Sequence, residues 1–460
     1  MGEVSKSALY QGGARKTLPF WPKDGGRRVL GIIKGTALRS IIRNVGIIFL
    51  GNSTASALNL ISFTLLASHL GPKMLAVFVL AQTYALIFND IFNVQTWESL
   101  VKFGPEGTNG KKTADVIVLN VAIDIVSGLT ACIIAVSSVG LVARLFGWEE
   151  SSQIYLAAYS LTALFNITSL TIGVPRLFDQ FFAVAKIGFC VALVRLLAIV
   201  ATINFTNTLG AYIGIFLICD ILNNIATVCF SLMLLRAKLG SGWWKNPIVF
   251  DRRQLRFIWW TNLRTILRIP VRHFDMLVIS SVMSLEKVGI YKVYKEIANI
   301  INRIGDPVNQ AIYPEFTKML SCGKTQATAE ITRRTTILLS CIGAALTLTL
   351  LIASKQIVSR FFGEAYLADI NVLYCLLILL GINFSIVPIN SLFIAAGFVR
   401  YSFLIVLMTN MIYLACVFGL GSLFGMYGVV MAFAVQMALN QGAKGYFLWK
   451  HSGEWGLLNK

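Results

Sequence analysis

The sequence predicts an all-α integral membrane protein with about twelve transmembrane helices. They are arranged as two six-helix bundles related by a pseudo-twofold axis along the membrane normal. Three observations predict this. Of 460 residues, 56% are hydrophobic and only 13% are charged, where soluble domains carry roughly a quarter. Apolar runs long enough to cross a hydrocarbon core of about 30 Å recur from residue 45 to residue 449. The basic residues between those runs fall predominantly on alternate loops, as the positive-inside bias requires.

The elements follow in chain order. Residues 1–44 form a basic N-terminal segment with nine Lys/Arg in 1–43 and no early apolar stretch, which is not the pattern of a cleavable signal peptide. Between Arg27 and Arg43, Val29, Leu30, Ile32, Ile33, Leu38, Ile41 and Ile42 alternate with Lys34 and Arg39, the pattern of an amphipathic helix on an anionic leaflet. A first lobe, 45–235, holds spans near 45–69, 75–101, 114–140, 152–174, 182–204 and 209–235. A basic linker, 236–256, precedes a second lobe, 257–450, with spans near 257–284, 288–316, 335–358, 367–394, 401–420 and 426–449. Residues 451–460 form a tail.

With the N-terminus inside, inner segments hold 27 Lys/Arg and outer loops five (Lys73, Arg144, Lys287, Lys355 and Arg360). Both termini are therefore expected in the cytoplasm. In a soluble chain the net charge of +19 would suggest nucleic acid. Here the basic loops are expected to meet anionic membrane lipids, and no nucleic-acid partner is expected.

An internal repeat supports the two lobes. At an offset of 213 residues, Phe78 meets Tyr291, Gln82 meets Lys295, Ala85 meets Ala298, Ile87 meets Ile300 and Asn89 meets Asn302. Leu209-Gly-Ala-Tyr212 likewise matches Phe424-Gly-Met-Tyr427. Two lobes inserted the same way up leave a cavity between them.

Eight cations fall within expected spans: Arg195, Arg264, Arg268, Arg272, Lys292, Lys295, Arg303 and Lys444. Each costs about 2.5–3.5 kcal/mol at a lipid-facing helix centre. Arg264 and Lys444, near span ends, can snorkel. The others are expected to face a wet or paired interior. Arg264, Arg268 and Arg272 recur every four residues, and Lys292, Lys295, Asn299, Asn302 and Asp306 recur at three and four, so each set shares a helix face. Gln82, Asn89 and Asn93 carry the same register in the first lobe.

The intramembrane acids are Asp90, Asp124, Asp220, Asp275, Glu296 and Asp306. Glu296 lies one turn from Lys292 and Asp275 three residues from Arg272, so local ion pairing is one reading of these charges. A surplus of cations on the seventh and eighth spans implies an anionic ligand, since guanidinium and ammonium groups match phosphate. On that reading Arg195, Arg268, Arg272, Lys292, Lys295 and Arg303 bind an anionic headgroup, and Gln82, Asn89, Asn93, Asn299 and Asn302 line the cavity. Arg195 has a second reading, a buried pair with Asp124 or Asp220. His273 could join the cluster. His69, at an outer span end, reads as a loop contact. Pro270, Pro307, Pro314 and Pro388 suggest helix kinks.

No metal site, no cofactor and no catalytic motif is expected, and the cysteines read as small packing residues. Gly104 to Thr113 imitates a P-loop but places Pro105 where the motif needs glycine. The chain is therefore expected not to be an enzyme, and transport would draw on a proton or sodium gradient. Asp90, Glu296 and Asp306 are the candidates for ion coupling.

Several stretches together resemble a known family: Gly51-Asn52 to Asn59, His69-Leu-Gly71-Pro72, Asp275 to Ile279, Val288-Gly-Ile-Tyr291, Pro307 and Pro314-Glu315-Phe316. They are similar to the Wzx-type polysaccharide flippases of the multidrug/oligosaccharidyl-lipid/polysaccharide exporter superfamily, over about residues 40–450. The resemblance implies alternating access and an undecaprenyl-pyrophosphate-linked oligosaccharide moved from the inner to the outer leaflet of a bacterial inner membrane. It serves O-antigen, capsule or exopolysaccharide synthesis, and leaves room for other polysaccharide-assembly proteins as partners. The alternatives are a multidrug or cation antiporter of the same superfamily and a membrane enzyme of polysaccharide assembly.

Overall fold

The computed structural model describes residues 26–451, except for 95, 105–109, 267, 268, 270–272 and 322–324. Side chains are described from residue 54 onward, save additionally 110–112, 264, 304–311, 314, 315, 318 and 321. The described residues are helical throughout, without a strand. Residues Met1–Leu50 form one compact unit and Gly51–Lys460 another. The first is helical from Gly26; the side-chain pattern expected of its amphipathic helix lies outside the described residues.

Helix α1 runs Gly26–Phe92 and is broken at Gly71, whose φ of 72° takes the backbone out of the helical region just before Pro72. Only glycine adopts that conformation without strain, and proline cannot continue a hydrogen-bonded helix. Short α2 (Thr96–Phe103), long α3 (Gly110–Leu145) and α4 (Glu150–Ser160) follow. After a bent region come α5 (Val174–Leu177), α6 (Phe181–Ile203) and α7 (Leu209–Leu239), which Gly240 ends at φ 84°. The second half holds α8 (Arg252–Ile266), α9 (Asp275–Val282), α10 (Leu285–Ser321), α11 (Thr325–Ile357), α12 (Ile370–Ser385), α13 (Val387–Ala395), α14 (Val399–Phe424) and α15 (Met426–Lys450).

Seven helices among the described residues are long and apolar enough to cross a membrane, or eight if the bent pair Glu150–Phe165 and Ser169–Leu177 counts as one span. The protein is thus a multi-pass helical membrane protein, with fewer uninterrupted apolar spans than the expected twelve. The differences have physical causes. The first two expected spans form one described stretch, Thr54–Phe92, divided at Gly71. At ~1.5 Å per residue its 39 residues reach ~58 Å, nearly two hydrocarbon cores. The expected seventh span is split between α8 and α9, and the eighth lies in α10, whose charges hold its hydropathy down.

Packing is mostly among neighbours in sequence. Helix α3 lies against α2, α4 and α7, and α6 lies along α7. Helix α10 packs on α11, α12 and α13; α14 packs on α9 and α15; and α2 touches α8. At one end the two halves of the sequence meet closely. The Trp148 indole donates to Ser280 Oγ at 3.0 Å, and the Tyr366 hydroxyl donates to the Ala67 carbonyl at 2.9 Å. A Cβ on Gly289 would lie 2.0 Å from the Pro72 carbonyl oxygen, so only glycine permits that backbone approach. All of these residues lie at or near segments that the charge pattern assigns to the outer side. Phe103 meets Phe257 edge-on at 5.6 Å, with the Lys102 ammonium 4.1 Å from the Phe257 ring centre. One apolar core, including Leu75, Phe78, Phe216, Tyr291, Tyr294 and Tyr366, runs through residues of both halves.

Candidate functional site

The paired intramembrane charges fall into separate groups, each closed by its own carboxylate. In the second half, α9, α10, α12, α14 and α15 surround a cavity of about 270 Å³ lined by Asp275, Tyr291, Lys295, Ala298, Asn299, Asn302, Leu376, Leu380, Tyr413 and Phe433. Lys295 projects into it and pairs with Asp275, whose side chain is 1% exposed. Asp275 also accepts the Met276 backbone N–H and, at 3.4 Å, the Tyr413 hydroxyl. Asn302 donates to Asn299 at 3.0 Å on the same face. The wall thus combines a Lys295–Asp275 ion pair, two amides and two tyrosines with an apolar floor. That combination can bind a charged oxygen beside hydroxyl-bearing groups: the ammonium attracts an oxyanion, amides donate and accept, and aromatic faces cover apolar C–H surface.

Lys292 and Arg303 sit away from that cavity's lining. Both pair with Glu296, at 2.8 and 3.4 Å. The i,i+4 spacing of Lys292 and Glu296 puts them one turn apart, which makes Glu296 the neutralising partner that the sequence allowed.

In the first half Arg195 is buried and pairs with Asp220; it also donates to Asn59 Oδ1 at 3.0 Å and lies 4.8 Å from the Phe216 ring centre. The Tyr159 hydroxyl donates to the other Asp220 oxygen and accepts from Gln82 at 2.8 Å. This is the second reading of Arg195, the buried pair with Asp220; the seventh-span cations of the first reading lie outside the described residues. The Arg195 charge is consumed within its own half, as a buried cation demands. Gln82, bonded to Tyr159, is not among the residues that line the second-half cavity.

Asn89 accepts from Asn93 and Asn166, at 3.1 and 3.0 Å, and Asn93 also donates to the Asn166 carbonyl at 2.7 Å. These amides tie α1 to the break after α4 and do not line the second-half cavity. Asp124 takes no cation among the described residues. It accepts from Thr96 and Thr168 and from the Ser169 backbone N–H at 2.6 Å, fixing the bend.

Asp90, which has no nearby cation in sequence, faces His273 across the two halves at 3.4 Å. Lys444 does not snorkel. It is 6% exposed and donates to Asn390 at 2.8 Å, because its face of α15 packs on α12 and α13. His69 meets Asn207 as a loop contact. Arg268 and Arg272 lie outside the described residues, as do the side chains of Arg264 and Asp306.

Taken together, four of the candidate cations, Arg195, Lys292, Lys295 and Arg303, have carboxylate partners. On the eighth span Lys292, Lys295 and Arg303 are thus each neutralised, while the cations of the seventh lie outside the described residues. Sequence reasoning missed Tyr413 and Tyr159. It also missed the pair of Asn410 and Gln436, which bond at 3.3 Å. The available signal was the four-residue spacing of Gln436, Asn440 and Lys444 on a helix whose one other side-chain amide is Gln441.

The family described as polysaccharide biosynthesis protein matches residues 41–320, more than half of the chain. The chain belongs to this family. Among individual proteins, it is 22% identical over 339 residues to the inner membrane protein YghQ of Escherichia coli (strain K12), covering 72% of this chain and 95% of YghQ. Its fold is similar to the inward-facing conformation of a MATE-family multidrug transporter of the MOP superfamily, with a TM-score of 0.72, 14% identity, and coverage of 88% of this chain and 96% of the other. It is also similar to the lipid II flippase MurJ in an inward closed conformation, with a TM-score of 0.67, 13% identity, and coverage of 87% of each chain. The fold is that of the MOP transporters, and the expected resemblance to this superfamily stands.

Proposed function

We propose that this polysaccharide biosynthesis family member is a secondary transporter that flips a pyrophosphate-linked lipid oligosaccharide from the inner to the outer leaflet by alternating access. The carrying observation is the second-half cavity, where Lys295 adjoins Asn299, Asn302, Tyr291 and Tyr413. An ammonium beside amides and aromatic rings suits a phosphorylated sugar better than an organic cation. The one carboxylate in that lining, Asp275, is buried behind Lys295 at 1% exposure, whereas the Lys295 side chain keeps 23% of its surface accessible. Packing within α2–α7 and within α9–α15 supports two lobes, and the close contacts at Gly289, Trp148 and Tyr366 support an end that is shut on the outer side.

Similarity to an inner membrane protein supports a bacterial inner-membrane location, and the loop charge bias supports both termini inside. Coupling to a proton or sodium gradient requires a site whose affinity for the driving ion differs between states. The Asp90–His273 contact is the best placed of the candidates, since it joins the two halves of the sequence and would break when they separate.

The second reading, a multidrug antiporter, rests on the likeness to the MATE transporter. A deletion strain separates the two. Loss of surface polysaccharide, with the lipid-linked precursor accumulating and ethidium resistance unchanged, is the expected result. Unaltered polysaccharide with increased ethidium sensitivity would reverse the assignment.

A further inference from the structure

A second cavity has none of the charged groups above in its lining. Between α6 and α7 an open groove of about 480 Å³ is lined by apolar residues including Ile187, Cys190, Val194, Leu222, Ala226 and Phe230, with Lys186 the one charged residue in the lining. The helices run antiparallel here, Ala183 lying toward Phe230 and Val194 toward Leu222.

Three features identify what fits it. The first is length. From Ala183 to Val194 the groove rises ~17 Å at ~1.5 Å per residue, about half of a ~30 Å hydrocarbon core. That is the reach of one acyl chain in one leaflet and too short for a long polyisoprenoid. The second is the position of the charge. Lys186 is exposed and near the start of α6, at the end where α7 finishes with exposed Arg236 and Lys238. The third is the absence of a competing partner. Among the described residues no carboxylate pairs with Lys186, Arg236 or Lys238. Arg195, Lys292, Lys295 and Arg303 are paired with carboxylates within the protein; Lys186 has no such pair among the described residues.

We infer that the α6–α7 groove is a binding site for an anionic glycerophospholipid of the leaflet facing Lys186, with an acyl chain in the groove and the phosphate on the Lys186 ammonium. A bare cation at the hydrocarbon boundary is stabilised by a lipid phosphate, and the groove supplies dispersion contacts that a flat helix face lacks. By the positive-inside bias this leaflet is the cytoplasmic one. The site is independent of the transported substrate.

Native mass spectrometry of the full chain, released from nanodiscs of equal phosphatidylglycerol and phosphatidylcholine, tests this. One phosphatidylglycerol is expected to stay bound, with about a fivefold preference over phosphatidylcholine, the factor that one basic residue supplies near an anionic surface. Lys186→Glu, a surface change that leaves the groove intact, should erase the preference. Ala226→Phe should fill the groove and lower retention of both lipids. Equal retention of the two lipids, or a preference unchanged in Lys186→Glu, would overturn the proposal. So would displacement of phosphatidylglycerol by one equivalent of undecaprenyl phosphate, which would assign the groove to the substrate's tail.

Discussion

Asp220→Ala is expected to destabilise the protein by about 3 kcal/mol, near the lower end for removing one partner of a buried ion pair. The loss should be visible as a drop in the thermal aggregation temperature in detergent. The cause is Arg195: it is buried, its guanidinium is held by Asp220 and Asn59, and no other carboxylate reaches it among the described residues. Asp220 is itself partly exposed, with a side-chain accessibility of 34%, which places the effect at the low end. Tyr159 loses its acceptor in the same step. The double variant Arg195→Met/Asp220→Leu removes both charges and should recover most of the loss, with polysaccharide export retained. If export fails in a double variant of restored stability, Arg195 acts on the substrate and is more than a structural partner of Asp220.

The second large effect concerns Lys295. Lys295→Met alone strands Asp275, whose side chain is 1% exposed, and should cost about 3–5 kcal/mol. Loss of export in that variant would therefore say little about substrate. The informative variant is Lys295→Met/Asp275→Asn. It keeps a polar group on the Met276 N–H and Tyr413 hydroxyl and leaves no buried unpaired charge. This protein should be inserted and near wild type in stability, yet inactive in export, because the cavity has lost its ammonium. Normal export by the double variant would reduce Lys295 and Asp275 to a structural pair.

How much of this was legible in the sequence depends on the range of each interaction. Hydropathy announced the helices, since crossing a bilayer is a property of consecutive residues. The Lys292–Glu296 pair was legible at i,i+4. The pairs of Arg195 with Asp220 and Lys295 with Asp275 span 25 and 20 residues and join different helices. No periodicity on one helix reveals them; the sequence offered two partners for Arg195 and could not choose. Asp90 and His273 lie further apart still and meet only through the fold. The amides Asn299 and Asn302 were legible as a polar stripe. The tyrosines beside them were not, because Tyr291 and Tyr413 sit in apolar runs where aromatic residues usually pack. The break at Gly71 hid in plain view: Gly71-Pro72 marks a stop, yet the helical pattern resumes at once.

The central claim is that the chain moves an anionic lipid-linked oligosaccharide and does not move organic cations. The most direct measurement reconstitutes the purified protein in proteoliposomes carrying fluorescent undecaprenyl-pyrophosphate oligosaccharide in the inner leaflet, with a proton or sodium gradient imposed. Appearance of the sugar to an external glycosidase, abolished by Lys295→Met/Asp275→Asn, is the predicted result. Ethidium movement driven by the same gradient, with the lipid-linked sugar remaining inaccessible, would contradict it.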